Sequence, residues 1–231
     1  MILRPSAERG HADHEWLNTY HTFSFADYYD PSHTGFGTLR VINEDRIKGG
    51  TGFDTHPHHD MEIVSYIVSG GIEHQDSIGN KGVILPQEVQ IMSAGTGVEH
   101  SERNHFKNQE THFFQIWILP DKKGIAPRYE QKSLKDQFNK QKLTLVVSKD
   151  ERDGSLLINQ DVDIYIARLK MQEEINFNIR SGRHVWLQLI KGNIQINGID
   201  VKSGDGLAVS NEKTLPILSK ADSEFILFDL R

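Results

Sequence analysis

The 231-residue chain contains no cysteine. That excludes disulfides and thiolate metal ligands alike, and leaves metal chemistry to histidine and carboxylate. It also fits a reducing compartment. Long hydrophobic runs are missing too. The most apolar stretch, Phe113 to Leu119, is strand-sized and still holds Gln115, far short of the roughly 18–20 apolar residues of a membrane span. The first residues, Met1 to Arg9, lack the apolar core of a signal peptide. A cytoplasmic location away from membranes is therefore expected. Positive charge is in deficit: 26 Lys and Arg against 32 Asp and Glu leave a net charge of −6. A general nucleic-acid-binding role has no electrostatic support from that balance. Histidine is scarce in the second half, where only His184 follows His112 among 12 histidines. Histidine chemistry belongs to the first half.

What is present reads as ordinary folded protein, with 37% hydrophobic and 25% charged residues. The length allows one large domain or two of about 100–120 residues. Gly52 to Glu62 stands out, because His56-Pro57-His58 puts two imidazoles on one face of an extended strand. His100-Ser101-Glu102 repeats that i, i+2 spacing after the corner Ala94-Gly95-Thr96-Gly97. Two strands that each present two ligand-type side chains to one interior supply four donors to one metal ion, and a barrel interior is the natural place for them. His59 has the opposite parity and is expected on the outer face. His74 and Asp76 share a face; they either hydrogen-bond a ligand or pair with each other. Phe53 is expected at the pocket mouth, and Trp117 and Trp186 in the core.

The surrounding pattern is that of short strands with turns every 8–12 residues, which indicates an all-β barrel or sandwich. Residues 1–20 are polar and mixed. His21 to Ala26 alternates as a strand. Leu39 to Ile42 reads as the next, closed by a turn at Asn43-Glu44-Asp45. The glycine-rich Gly49 to Gly52 has no Gly-Lys-Ser/Thr continuation, so it is not a phosphate loop. Glu62 to Val68 is a β-branched strand ending at Gly70-Gly71. Residues 120–142, rich in Lys, Asp and Gln, read as a solvated connection with one helical turn at Leu134 to Phe138. Strands then resume. A weak internal repeat relates Val185–Ile196 to Glu62–Glu73, and Lys202–Val209 to Pro86–Met92. The second copy lacks both the His-x-His and the His-x-Glu.

Several linked motifs in the same order carry a resemblance: His21-Thr-Phe-Ser-Phe-Ala-Asp-Tyr-Tyr29, Gly35-Phe-Gly-Thr-Leu-Arg-Val-Ile-Asn43, His56-Pro-His58, His74-Gln-Asp-Ser-Ile-Gly-Asn80, Ser93-Ala-Gly-Thr-Gly97 and His100-Ser-Glu102. In these the chain resembles the pirin family, bicupin proteins of the cupin superfamily, and most of all its bacterial quercetin 2,3-dioxygenase-like members. The match is dense over residues 1–130 and architectural beyond. One departure is Pro86-Gln87-Glu88 where the family often has Pro-Gly-Asp/Glu, a change in turn chemistry only. The resemblance implies two tandem cupin (jelly-roll) β-barrels: an N-terminal metal-binding barrel over 1–130, and a C-terminal degenerate barrel without a metal site over 131–231. It implies His56, His58, His100 and Glu102 as metal ligands, with Glu102 also the catalytic base. Glu62, the ligand position of many other cupins, is then expected either to support a ligand from behind or to be structural.

The implied cofactor is one divalent transition metal ion. Fe(II) is expected first; three imidazoles and a carboxylate also suit Ni, Cu, Mn, Co or Zn, and supply rather than ligand type decides occupancy. The implied reaction is dioxygenation of a flavonol such as quercetin, with carbon monoxide released. A second reading is a metal-dependent, non-enzymatic regulatory module, for which the acidic charge favours a protein partner over DNA. A sugar isomerase on the same site would need Arg and Lys inside the barrel, and none stands near the ligands.

Overall fold

The computed structural model describes residues 1–231 and is built almost wholly of β-strands. It divides into two compact units. One comprises residues 10–135 with 158–160; the other comprises 1–9, 136–157 and 161–231. The sequence reading put a single boundary after residue 130. The chain instead crosses between units more than once, because the strand Ile2–Arg4 pairs with Gly206–Val209 and the Ser6 amide donates to Asp205 Oδ1 at 2.7 Å. Short polar ends carry little hydrophobic pattern, so this exchange leaves no trace in periodicity.

The first unit has two sheets. A seven-stranded sheet runs Arg128–Ser133, Glu88–Ser93, Glu62–Ser69, Thr111–Ile118, Leu39–Ile47, Leu17–His21, Gly10–Asp13; a four-stranded sheet runs Gly52–His58, Val98–Asn104, Ile72–Asp76, Lys81–Ile84. The strand Glu62–Ser69 is buried on both faces through most of its length, which is why it reads as a continuous β-branched run. Its start is fixed by Glu62. That carboxylate accepts from the Ser93 hydroxyl at 2.9 Å and the Asn159 side-chain amide at 3.1 Å. Glu62 is thus occupied by structural bonds.

The second unit repeats this plan. Its seven-stranded sheet runs Ile2–Arg4, Gly206–Val209, His184–Lys191, Ser223–Leu230, Val162–Leu169, Leu143–Ser148, Leu156–Leu157, and its four-stranded sheet runs Glu174–Asn178, Thr214–Ser219, Asn193–Ile196, Ile199–Lys202. In that order His184–Lys191 takes the place of Glu62–Ser69, and Gly206–Val209 that of Glu88–Ser93, as the weak repeat indicated. Glu174–Asn178 and Thr214–Ser219 correspond to the two strands bearing the His-x-His and His-x-Glu. Here the buried apolar positions are Phe177, Leu215 and Ile217, all within one cluster, with Ser219 the one buried polar residue.

Three local readings need correction. Leu39–Ile47 is one nine-residue strand, so Asn43, Glu44 and Asp45 are buried strand residues and not a turn. The strand at His21 lies before it, as Leu17–His21, while residues 22–27 are irregular. Arg128–Ser133, read as solvated connection, pairs with Glu88–Ser93 along its whole length. Asn43 to Asp45 and Arg128–Ser133 are polar yet lie in strands of the sheet, whereas the apolar–polar alternation after His21 belongs to an irregular segment.

Candidate metal centre

His56 and His58 lie on Gly52–His58, and His100 lies directly opposite His56 on Val98–Asn104. A register shift between His100 and Glu102 locally breaks the ladder. Strand parity turns all three imidazoles the same way, and their ring centroids stand 4.5–4.9 Å apart. The Nε2 atoms of His58 and His100 are buried and have no hydrogen-bond partner. Such groups are costly unless something else fills them. His56 donates Nδ1–H to the Asp54 carbonyl at 2.7 Å, which leaves its Nε2 bare as well. Burial, with the charges of neighbouring histidines, pushes His58 down to about 4 and His100 down to about 2. Both rings are therefore neutral, the state that ligates metals. Three convergent imidazoles, with neutral and unpartnered nitrogens on His58 and His100, fit a divalent transition metal ion.

Glu102 is fully buried on the same strand. Its Oε2 accepts the Gln115 amide N–H at 2.7 Å, and the Ser65 hydroxyl donates to Gln115 Oε1 at 2.7 Å, which orients that amide. Burial pushes the Glu102 carboxyl up to about 7, helped by Asp45 and opposed by Gln115. The carboxylate groups with His74 and His100, while the three-histidine group is His56, His58 and His100. No one group joins all four expected residues: His100 belongs to both, and Glu102 shares only the pocket lining with His56 and His58. His59 projects outward, 65% exposed, beside Asp60.

A cavity of about 290 Å³ opens onto this cluster, near the lower end of small-molecule sites at about 300 Å³. Its apolar wall includes Leu17, Phe25, Phe53 and Trp117. Trp117 stands edge-on to His58 at 5.0 Å and to Phe25 at 5.3 Å, so it walls the pocket and is not simply core as expected. Trp186 is 3% exposed, in the core. The polar lining comes from the corrected strand and its neighbours: His21, Asn43, Asp45 and Gln115. His21 donates Nδ1–H to Asn43 Oδ1 at 2.8 Å. Burial pushes the Asp45 carboxyl up to about 7 against the pull of the Thr19 hydroxyl. Asp45 and Asn43 were missed as site residues. Their turn-like composition hid them, and only the pairing of Leu39–Ile47 with Thr111–Ile118 reveals them as strand.

Set beside known proteins, the chain matches the Pirin family model over residues 3–118 and the model described as "Quercetinase C-terminal cupin domain" over 145–230. It is 51% identical to the quercetin 2,3-dioxygenase of Escherichia coli K12 over 230 residues, covering 100% of this chain and 98% of that one. It superimposes on the nickel(II) complex of the bacterial pirin YhhW from Escherichia coli with TM-score 0.94 at 51% identity, covering 99% and 98% of the two chains. An oxalate decarboxylase from Lactobacillus farciminis, at 10% identity and TM-score 0.69 over 99% of this chain and 85% of that one, shares the fold alone.

Proposed function

The chain belongs to the pirin family, and on that premise we propose that it is a metal-dependent dioxygenase that cleaves a flavonol such as quercetin with O2 and releases carbon monoxide. The observation that carries this reading is the group of three convergent imidazoles, two of them with buried inward nitrogens that lack partners, beside an apolar cavity shared with a buried carboxyl. The relative's name and the nickel(II) held by YhhW support it.

His56, His58 and His100 would hold the ion through Nε2, and Glu102 through a carboxylate oxygen. The ion is a divalent transition metal, with Fe(II) and Ni(II) the first candidates. Bound there, it would supply Lewis acidity toward the flavonol oxygen and a route for electron density to O2. The protein's own groups do the rest. Glu102 takes the proton of the flavonol 3-hydroxyl as general base. Gln115 holds one oxygen of that carboxylate in place. Phe25, Phe53 and Trp117 hold the planar rings and exclude water. The experiment is a sealed-vial assay: metal-loaded protein, quercetin and O2 are expected to yield carbon monoxide in a 1:1 ratio to quercetin lost. Quercetin loss without carbon monoxide would mean another oxidation.

A further inference from the structure

His74 and Asp76 lie on Ile72–Asp76, the strand that pairs with Val98–Asn104 on the side away from Gly52–His58. Their side chains are wholly shielded from solvent. Asp76 Oδ1 accepts the backbone N–H groups of Asn80 at 2.8 Å and Ile78 at 3.1 Å, and Oδ2 accepts the Asn80 side-chain amide at 3.0 Å. A carboxylate so surrounded by donors is held as an acceptor. His74 Nε2, 3.1 Å from Asp76 Oδ2, must then be the N–H side of that ring. In a neutral imidazole the other nitrogen carries the lone pair. That nitrogen, His74 Nδ1, lies 3.4 Å from His100 Nδ1. It can only accept, so His100 donates from Nδ1. What remains on His100 is a bare Nε2, the buried atom without a partner that faces His56 and His58.

The His74 ring is itself clamped. Tyr129 stacks on it at 4.6 Å and 29°, and its hydroxyl donates to Gln131 Oε1 at 2.9 Å. Gln131 is fixed in turn by donation to the Val83 carbonyl at 2.7 Å and to Glu88 at 2.8 Å. The ring plane, and so the direction of its lone pair, is set by Arg128–Ser133.

We propose that Asp76 and His74 are positioning residues that fix His100 as its Nδ1–H tautomer, so that Nε2 is presented to the metal before the metal arrives. This rests on the reading of His100 as a ligand. Histidine ligands in general gain affinity when the non-ligating nitrogen is bound in this way; here the partner is a second imidazole anchored by a carboxylate. The competing arrangement is also built from these residues, since His74, His100 and Glu102 form a group of their own that could ligate an ion. The hydrogen-bond chain requires that His74 stay outside the coordination sphere.

The test uses the full chain with ¹⁵N-labelled histidine, and Ni(II) as probe. In metal-free protein, long-range ¹H–¹⁵N spectra should show His100 protonated at Nδ1 and bare at Nε2. His74→Phe keeps a ring against Tyr129 but removes the acceptor. His74→Asn places an acceptor oxygen near the lost Nδ1. By competition with a chelator, His74→Phe should weaken Ni(II) binding about 10–100-fold, and His74→Asn should recover most of that. A wild-type His100 protonated at Nε2 would overturn the proposal, and this reading survives any failure of a variant to fold. So would unchanged affinity in His74→Phe, or a His74 resonance displaced as a ligand in the Ni(II) form. If His100→Ala instead leaves metal content intact, the ligand reading fails, which is a separate result.

Discussion

At the scale of single residues, the site is defined by what its atoms lack. His58 and His100 carry buried Nε2 atoms with no partner; the i, i+2 spacing pointed to both only because two such pairs and the surrounding motifs occur together. His100→Ala should lower bound metal at least tenfold, the size of effect typical of losing support at a metal site; metal content after Ni(II) loading and desalting checks this. Glu102→Gln keeps an oxygen donor but not the basic carboxylate. It should retain part of the metal and lose turnover, and undiminished turnover would remove Glu102 from the base role. Asp45 was not legible, because Asn43-Glu44-Asp45 has turn composition and only the pairing partner reveals it as strand. Its folded pKa is raised to about 7 from 3.8 by burial. The folded state therefore holds a proton that the unfolded chain releases as pH passes about 4. Stability from this group is full below that and declines as pH rises to about 7. In metal-free protein, Asp45→Asn should gain stability over wild type as pH climbs from 4 to 7, by at most about 1.4 kcal/mol per pH unit. Urea unfolding at pH 4, 5.5 and 7 checks it; a pH-independent difference would contradict the burial argument.

At the scale of elements, strand parity did most of the work. The two strands that carry His56, His58 and His100, the β-branched run and the helical turn near 135–138 could all be read from period and composition. What could not be read was pairing. Arg128–Ser133 is polar, yet it supplies Tyr129, which stacks on His74. The corner before His100 shows how tightly one such element is specified. Gly95 has φ of +47°, and a Cβ there would lie 2.0 Å from the Ile125 carbonyl oxygen. Gly95→Ala must both strain the backbone and displace that loop, at a cost of at least about 2 kcal/mol. Its melting temperature should fall by several degrees for a chain of this size. Ni(II) affinity should weaken with it, because the corner feeds directly into Val98–Asn104.

At the scale of the molecule, the two units share one plan, a seven-stranded with a four-stranded sheet, and differ in what faces inward. In the first the interior strands offer histidine and carboxylate; on the strands in the same places of the second, the buried apolar residues are Phe177, Leu215 and Ile217. The weak repeat in the sequence conveyed the plan. It could not convey that residues 1–9 belong with the second unit, since three paired residues leave no periodicity to detect. One chain should therefore take up one metal ion at its ligand-bearing barrel, and catalysis should depend on it. The most direct test follows quercetin absorbance in air for chelator-stripped protein and for the same protein reconstituted with Fe(II), Ni(II), Cu(II), Mn(II) or Co(II). The account predicts no turnover in the stripped protein, turnover restored by at least one ion at one equivalent per chain, and none without oxygen. Stoichiometric metal binding with no turnover for any ion would contradict it.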